Sequence, residues 1–157
     1  MSDKATKLTS SVRDEVIHWF FEDYLPTWVG VATGAIARGP EFILDYWSAP
    51  LHWGFDPESQ WLLDGPAVVG ILRQMQTRLE EQGYAYTAVP DQRVTVYNRD
   101  GAAVEVIWSR CRADHSEIER LAVHFELGRG HDGWRIIGIQ AVSTASETLD
   151  GAWSQPA

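Results

Sequence analysis

The sequence predicts an α+β fold, with helices in the first half of the chain and a long antiparallel sheet in the second, within one domain. Three observations carry this. The chain has 157 residues, the length of one domain, and can remove roughly 70% of its unfolded surface from water. Up to Gly83 the apolar residues recur at steps of three or four, and beyond it they alternate. The separators of the second half are short and rich in Gly, Asp and Asn, the chemistry that joins antiparallel neighbours.

Each element has its own justification. Over residues 11–24, Val12, Val16, Trp19, Phe20 and Tyr24 form a stripe opposite Asp14, Glu15, His18 and Glu22, which is an amphipathic helix with Thr9 or Ser10 suited to its N-cap. Pro26 lacks an N–H and predicts a kink or break near Leu25, before a second helical stretch over 27–37. Residues 41–47 read as a further short helix and 51–55 as a short strand with a turn at Asp56-Pro57. Asp64 or Gly65 can cap the next helix, Pro66 falls in its first turn, and Val68, Val69, Leu72, Met75 and Leu79 make its apolar stripe. Strands follow at 84–89, 93–97, 102–112, 118–127 and 134–143, the last of them a meander. Residues 1–10 read as a loosely held segment, 11–144 as the domain, and 145–157 as a polar tail with Trp153 as its evident anchor.

Charge and composition exclude several function classes. With 13 Lys and Arg against 22 Asp and Glu, the net charge of −9 repels phosphate, and no basic cluster offsets it, so neither nucleic acid nor an anionic membrane surface is an expected partner. No apolar run has the length of a membrane span, and residues 1–11 lack the apolar stretch of a signal peptide, so a cytoplasmic location is expected. The one cysteine, Cys111, agrees with a reducing compartment. The five histidines show no metal-ligand spacing, and no Gly-rich dinucleotide fingerprint occurs, so no cofactor is expected. Eight Trp stand out; rings in that number serve as core, cavity wall or interface.

The order of elements, the Asp45-Tyr46-Trp47 and Asp64-Gly65-Pro66 helix ends and the closing Asp132-Gly133-Trp134-Arg135-Ile136-Ile137 strand entry resemble the nuclear transport factor 2-like superfamily, closest to its SnoaL-like and ketosteroid-isomerase-like branch. The resemblance implies a cone, in which a bent antiparallel sheet wraps three N-terminal helices around an apolar pocket. It also implies a homodimer built on the outer sheet face. In the isomerase branch a general-base Asp lies on the short strand after the second helix. The matching stretch here is Leu51-His52-Trp53-Gly54-Phe55-Asp56, which puts Trp53 near that position with His52 beside it, and a Trp cannot take a proton. The acid of the penultimate strand matches His124 or Glu126.

A small apolar or aromatic ligand is therefore expected, held by Tyr24, Trp28, Trp47, His52, Trp53 and Trp108, with neutral ligands preferred over polyanions. His124 and Glu126 are the leading proton carriers for cofactor-free isomerase, dehydratase or cyclase chemistry, since an imidazole and a carboxylate two residues apart exchange protons near neutral pH. They share one face of their strand with Arg120, while Leu121, Val123, Phe125 and Leu127 share the other. If the polar face lines the cone the pair can act there; if the apolar face does, the pair points outward. Trp108 beside His124 and Arg110 beside Glu126 would complete the polar arrangement, the arginines otherwise serving as surface ion pairs. A binding or interaction module without catalysis is the competing reading.

Overall fold

A computed structural model describes residues 3–55 and 58–153; the expected Asp56-Pro57 turn and residues 154–157 of the tail lie outside the described residues. The chain opens on one continuous helical run: α1 (Asp3–Ile17), a π-helical stretch (His18–Tyr24) and α2 (Leu25–Thr33). Two expectations change here. The helix begins at Asp3 rather than after Ser10, and the Thr9 hydroxyl donates to the Ala5 carbonyl one turn back instead of capping. Nor does Pro26 break the run. A proline ring clashes with the carbonyl four residues earlier, and the widened π turn relieves this, as the Leu25 N–H donates to the carbonyl of Phe20. Gly34, at φ +81°, supplies the left-handed residue that ends the run.

A 3-10 turn (Pro40–Asp45) leads into β1 (Trp47–Phe55), which is longer than the strand expected at 51–55. β2 (Ser59–Leu62) folds back on it, a strand whose four residues show no apolar alternation. The third α-helix, α3 (Gly65–Glu81), is capped by Asp64, whose carboxylate accepts the Ala67 N–H at 2.9 Å. Five strands follow: β3 (Tyr84–Ala88), β4 (Gln92–Asn98), β5 (Gly101–Arg112), β6 (Glu117–Gly130) and β7 (Gly133–Ser143).

The seven strands form one curved, unclosed sheet in the order β2-β1-β7-β6-β5-β3, with β4 pairing the first half of the edge that β3 pairs further along. The sheet is mixed, which corrects the expected antiparallel one: β1 runs parallel to β7. A parallel pair needs a long connection, and α3 with four strands of the meander supplies it. Register shifts at Arg110/Cys111, Glu126/Leu127 and between Trp47 and His52 bend the sheet, as bulges do.

The bend sets an inner face against the helices. Val104, Val106 and Trp108 of β5, Leu121, Val123, Phe125 and Leu127 of β6, and Ile136 and Ile139 of β7 join Val16, Phe20, Tyr24 and Leu72 in the core. On the outer face, Leu149 and Ala152 of the tail cover Ile107 and Ala122, with Trp153 partly buried beside them. Leu149 is thus the tail's main anchor, fully buried, and its N–H donates to the Asp91 carboxylate at 2.8 Å. No helix among the described residues is long and apolar enough to cross a membrane.

Candidate functional site

Pleat alternation on β5 sends Trp108 and Arg110 to the inner face, and on β6 it sends Val123 and Phe125. Trp47, Trp53 and Phe55 arrive from β1, Tyr24, Leu25 and Trp28 from the helical run, Met75 from α3 and Thr87 from β3. Together they line a narrow pit whose free volume of about 30 Å³ suits one water molecule. The pit adjoins a cleft of about 580 Å³, within the size range of small-molecule sites. Trp53, Phe55, Met75 and Arg110 belong to both walls, and Ile71, Arg78, Glu119 and Leu121 extend the cleft.

The rings hold one another in place. Phe20 lies below the pit, stacked on Trp108 with centroids 6.0 Å apart and meeting Phe125 edge-on at 5.0 Å. Trp53 stacks on Phe55 at 4.4 Å and leans on Trp47 at 5.6 Å. The Trp47 Nε1–H donates to the Tyr24 hydroxyl oxygen at 3.1 Å, which leaves the phenol its own proton to give. Burial pushes that phenol well above its ordinary pKa, so it remains a donor at neutral pH.

Arg110 is the one cation of the pit wall. It is only 6% exposed, and its guanidinium carbon lies 5.1 Å from the Trp28 ring centroid. Nη1 reaches Met75 Sδ at 3.4 Å, a weak acceptor, and Glu119 Oε2 at 3.8 Å, beyond hydrogen-bonding range. Nε has no hydrogen-bond partner among the described residues. Burial accordingly lowers the guanidinium from its ordinary pKa, with Glu119 opposing the shift.

A helical layer under a curved sheet, with a pocket between them, can now be compared with known families. Residues 14–144 match the family described as NTF2-like protein (DUF6841). The chain belongs to this NTF2-like family. Solved structures agree on the fold. An NTF2-like protein with a cystatin-like fold from Novosphingobium aromaticivorans is similar with a TM-score of 0.64 at 19% identity, over 96% of this chain and 90% of that one. An NTF2-like superfamily protein from Salmonella enterica serovar Typhimurium gives 0.59 at 14% identity, over 92% and 99%. A protein of unknown function from Pectobacterium atrosepticum, of the DUF3225 family, gives 0.57 at 13%, over 86% and 92%. Among curated proteins no significant match is found.

In this NTF2-like protein the pit brings together Tyr24, Trp28, Trp47, Trp53 and Trp108, and it does not include His52, His124 or Glu126. The apolar face of β6 looks inward. His124 and Glu126 do pair, Nε2 to Oε2 at 3.0 Å, but on the outer face, where Nδ1 also meets Glu105 at 3.1 Å. The expected proton carriers are thus on the far side of the sheet from the pocket and do not reach a molecule held there. His52 fails for the same reason: its ring bonds Gln140 at 2.8 Å and faces Trp61 on the outer side. Gly54 leaves room for that Gln140 side chain, since a Cβ there would overlap its amide. Trp108 pairs across the sheet with Leu121, not His124, and Arg110 meets Glu119, not Glu126. Arg110 also proves buried rather than a surface ion-pair residue. Its parity with Trp108 in the sequence was the signal: any cavity that takes Trp108 from this strand also takes Arg110.

Proposed function

We propose that this protein binds a small, largely apolar or aromatic molecule in the cleft, against the aromatic pit at its inner end. The observation that carries the reading is a cleft of ligand size walled by Trp53, Phe55, Ile71, Met75 and Leu121, with the aromatic pit and a few polar groups at its inner end. Those polar groups favour binding over proton transfer. Arg110 and the Tyr24 phenol are donors suited to holding an acceptor, and on the resemblance to the isomerase branch the place of the general base falls to Trp53, which cannot take a proton. Calorimetric titration with 1-naphthol and indole tests this. Saturable binding at one site per chain is expected, abolished by Ile71→Glu, which puts a charge on the apolar wall of the cleft, and retained by His124→Ala on the outer face. Binding that survives Ile71→Glu unchanged, or no binding at all, refutes the reading.

We further propose that the outer face pairs with a second copy of the chain. Tyr97 and Ile137, 55% and 44% exposed, present apolar surface at the end of that face away from the docked tail. Light scattering at high protein concentration should give a dimer that Ile137→Glu converts to a monomer; a monomeric wild type overturns this.

A further inference from the structure

We propose that the ligand is a monocarboxylate with an aromatic or apolar body, anchored through its carboxylate by the Arg110 guanidinium. The inference rests on the reading of the cleft as a small-molecule site and adds the chemical class that the site takes. A buried guanidinium has five donors to satisfy, and here the protein offers them a thioether at 3.4 Å, a ring face and a carboxylate oxygen at 3.8 Å. Nε is without a partner among the described residues. Such under-supplied buried charge is costly and is stabilised when an anion arrives with matching geometry. A carboxylate fits the fork of a guanidinium in a bidentate way that a neutral amide cannot reproduce.

Glu119 does not already fill this role. Its other oxygen lies 2.7 Å from Arg78, so it is committed to a more exposed arginine at the mouth of the cleft and stands off from Arg110. The Tyr24 phenol, close enough to Arg110 to feel its charge, likewise asks for an acceptor, since it still has a proton to donate, while the Thr87 hydroxyl across the β3–β5 register already shares a hydrogen bond with the Tyr84 hydroxyl. Arg110 stands where the pit meets the cleft, so an acid entering from solvent reaches it while its ring remains among Trp53, Phe55, Ile71 and Leu121. The pit itself is too small for a ring, which places the body of the ligand in the cleft. Glu119 is taken up by Arg78, which leaves Arg110 to hold a single anionic group, and Glu58 on the cleft wall disfavours a second negative charge, so a monocarboxylate is selected over a phosphate ester.

The test compares 1-naphthaleneacetate, 1-naphthaleneacetamide and 1-naphthyl phosphate by calorimetry on the full wild-type chain at neutral pH. The acid should bind at least tenfold tighter than the amide and tighter than the phosphate. Arg110→Met should erase the acid-over-amide preference, and Arg110→Lys should retain part of it. Equal affinity for acid and amide, with both saturable, overturns this inference and leaves the pocket reading standing. A phosphate that outcompetes the acid overturns the monocarboxylate assignment alone, and no saturable binding of any probe overturns both readings. The wild-type comparison decides the matter even if a variant fails to fold.

Discussion

On the inner side of β5, Arg110 is buried against Trp28 and Met75 with its nearest carboxylate oxygen at 3.8 Å; five residues earlier, on the outer side of the same strand, Glu105 meets His124 at 3.1 Å and the neighbouring Arg93 meets Asp150 at 2.9 Å, where water reaches them. Outside, charges are well matched and contribute little, because solvent would serve each of them almost as well. Inside, one charge is poorly matched and matters a great deal, because nothing else can solvate it. The contrast teaches that the number of ion pairs on a face is a poor guide to where a protein keeps its recognition chemistry. An unsatisfied group behind a wall of rings is a better one.

The comparison can be broken at several points. The largest expected effect is on the inner face: Phe20→Ala, which removes the ring between Trp108, Phe125 and Tyr24, should cost about 3–5 kcal/mol in urea unfolding. A loss under ~1 kcal/mol would mean that the inner face is not the packed one. Next comes the exception on the outer face, where Leu149→Ala should cost roughly 2–3 kcal/mol by uncovering Ile107 and Ala122. A wild-type midpoint for that variant would place the tail off the sheet in solution.

Arg110→Met should act in the opposite direction. Exchanging an under-partnered buried cation for an apolar chain of similar length is expected to raise the stability of the unliganded protein by about 1–2 kcal/mol, since Glu119 keeps Arg78. A destabilised variant would show that the guanidinium is structural. On the other side of the sheet, His124→Ala should change stability by less than ~1 kcal/mol and leave cleft binding unaltered. A loss of cleft binding would reverse the assignment of the two faces.

The smallest effect concerns acid. The Ser109 hydroxyl donates to the Glu117 carboxylate and Arg120 Nε does so at 3.0 Å, which together hold its pKa below the ordinary carboxylate value. A depressed folded-state pKa gives stability that is present above the unfolded value and lost as pH falls through the folded one. Urea midpoints at pH 7 and pH 3 should therefore differ less in Glu117→Gln than in the wild type, by under about 1 kcal/mol for so accessible a group. An identical pH response in the two would remove Glu117 from the acid sensitivity.

Much of the fold was legible because its signals are local. The Asp64 cap, the α3 stripe and six of the seven strands announce themselves through residues a few positions apart. β2 was not legible, since Ser59–Leu62 becomes a strand only by pairing back on β1, and the parallel β1–β7 contact depends on partners over 80 positions distant. The π stretch before Pro26 escaped for a different reason. Proline signals a conflict with the helix, and whether the helix breaks or widens depends on the packing of Phe20 and Tyr24 beneath it.

The site divides in the same way. Alternation along β6 sorts Leu121, Val123, Phe125 and Leu127 from His124 and Glu126, and along β5 it ties Arg110 to Trp108, because side-chain direction in a strand follows from the backbone of neighbouring residues alone. Which set faces the helices is not local. It was decided when the long helical run and α3 closed over one side of the sheet, and that closure turned Arg110 from an ordinary strand arginine into a buried donor set facing an aromatic pocket.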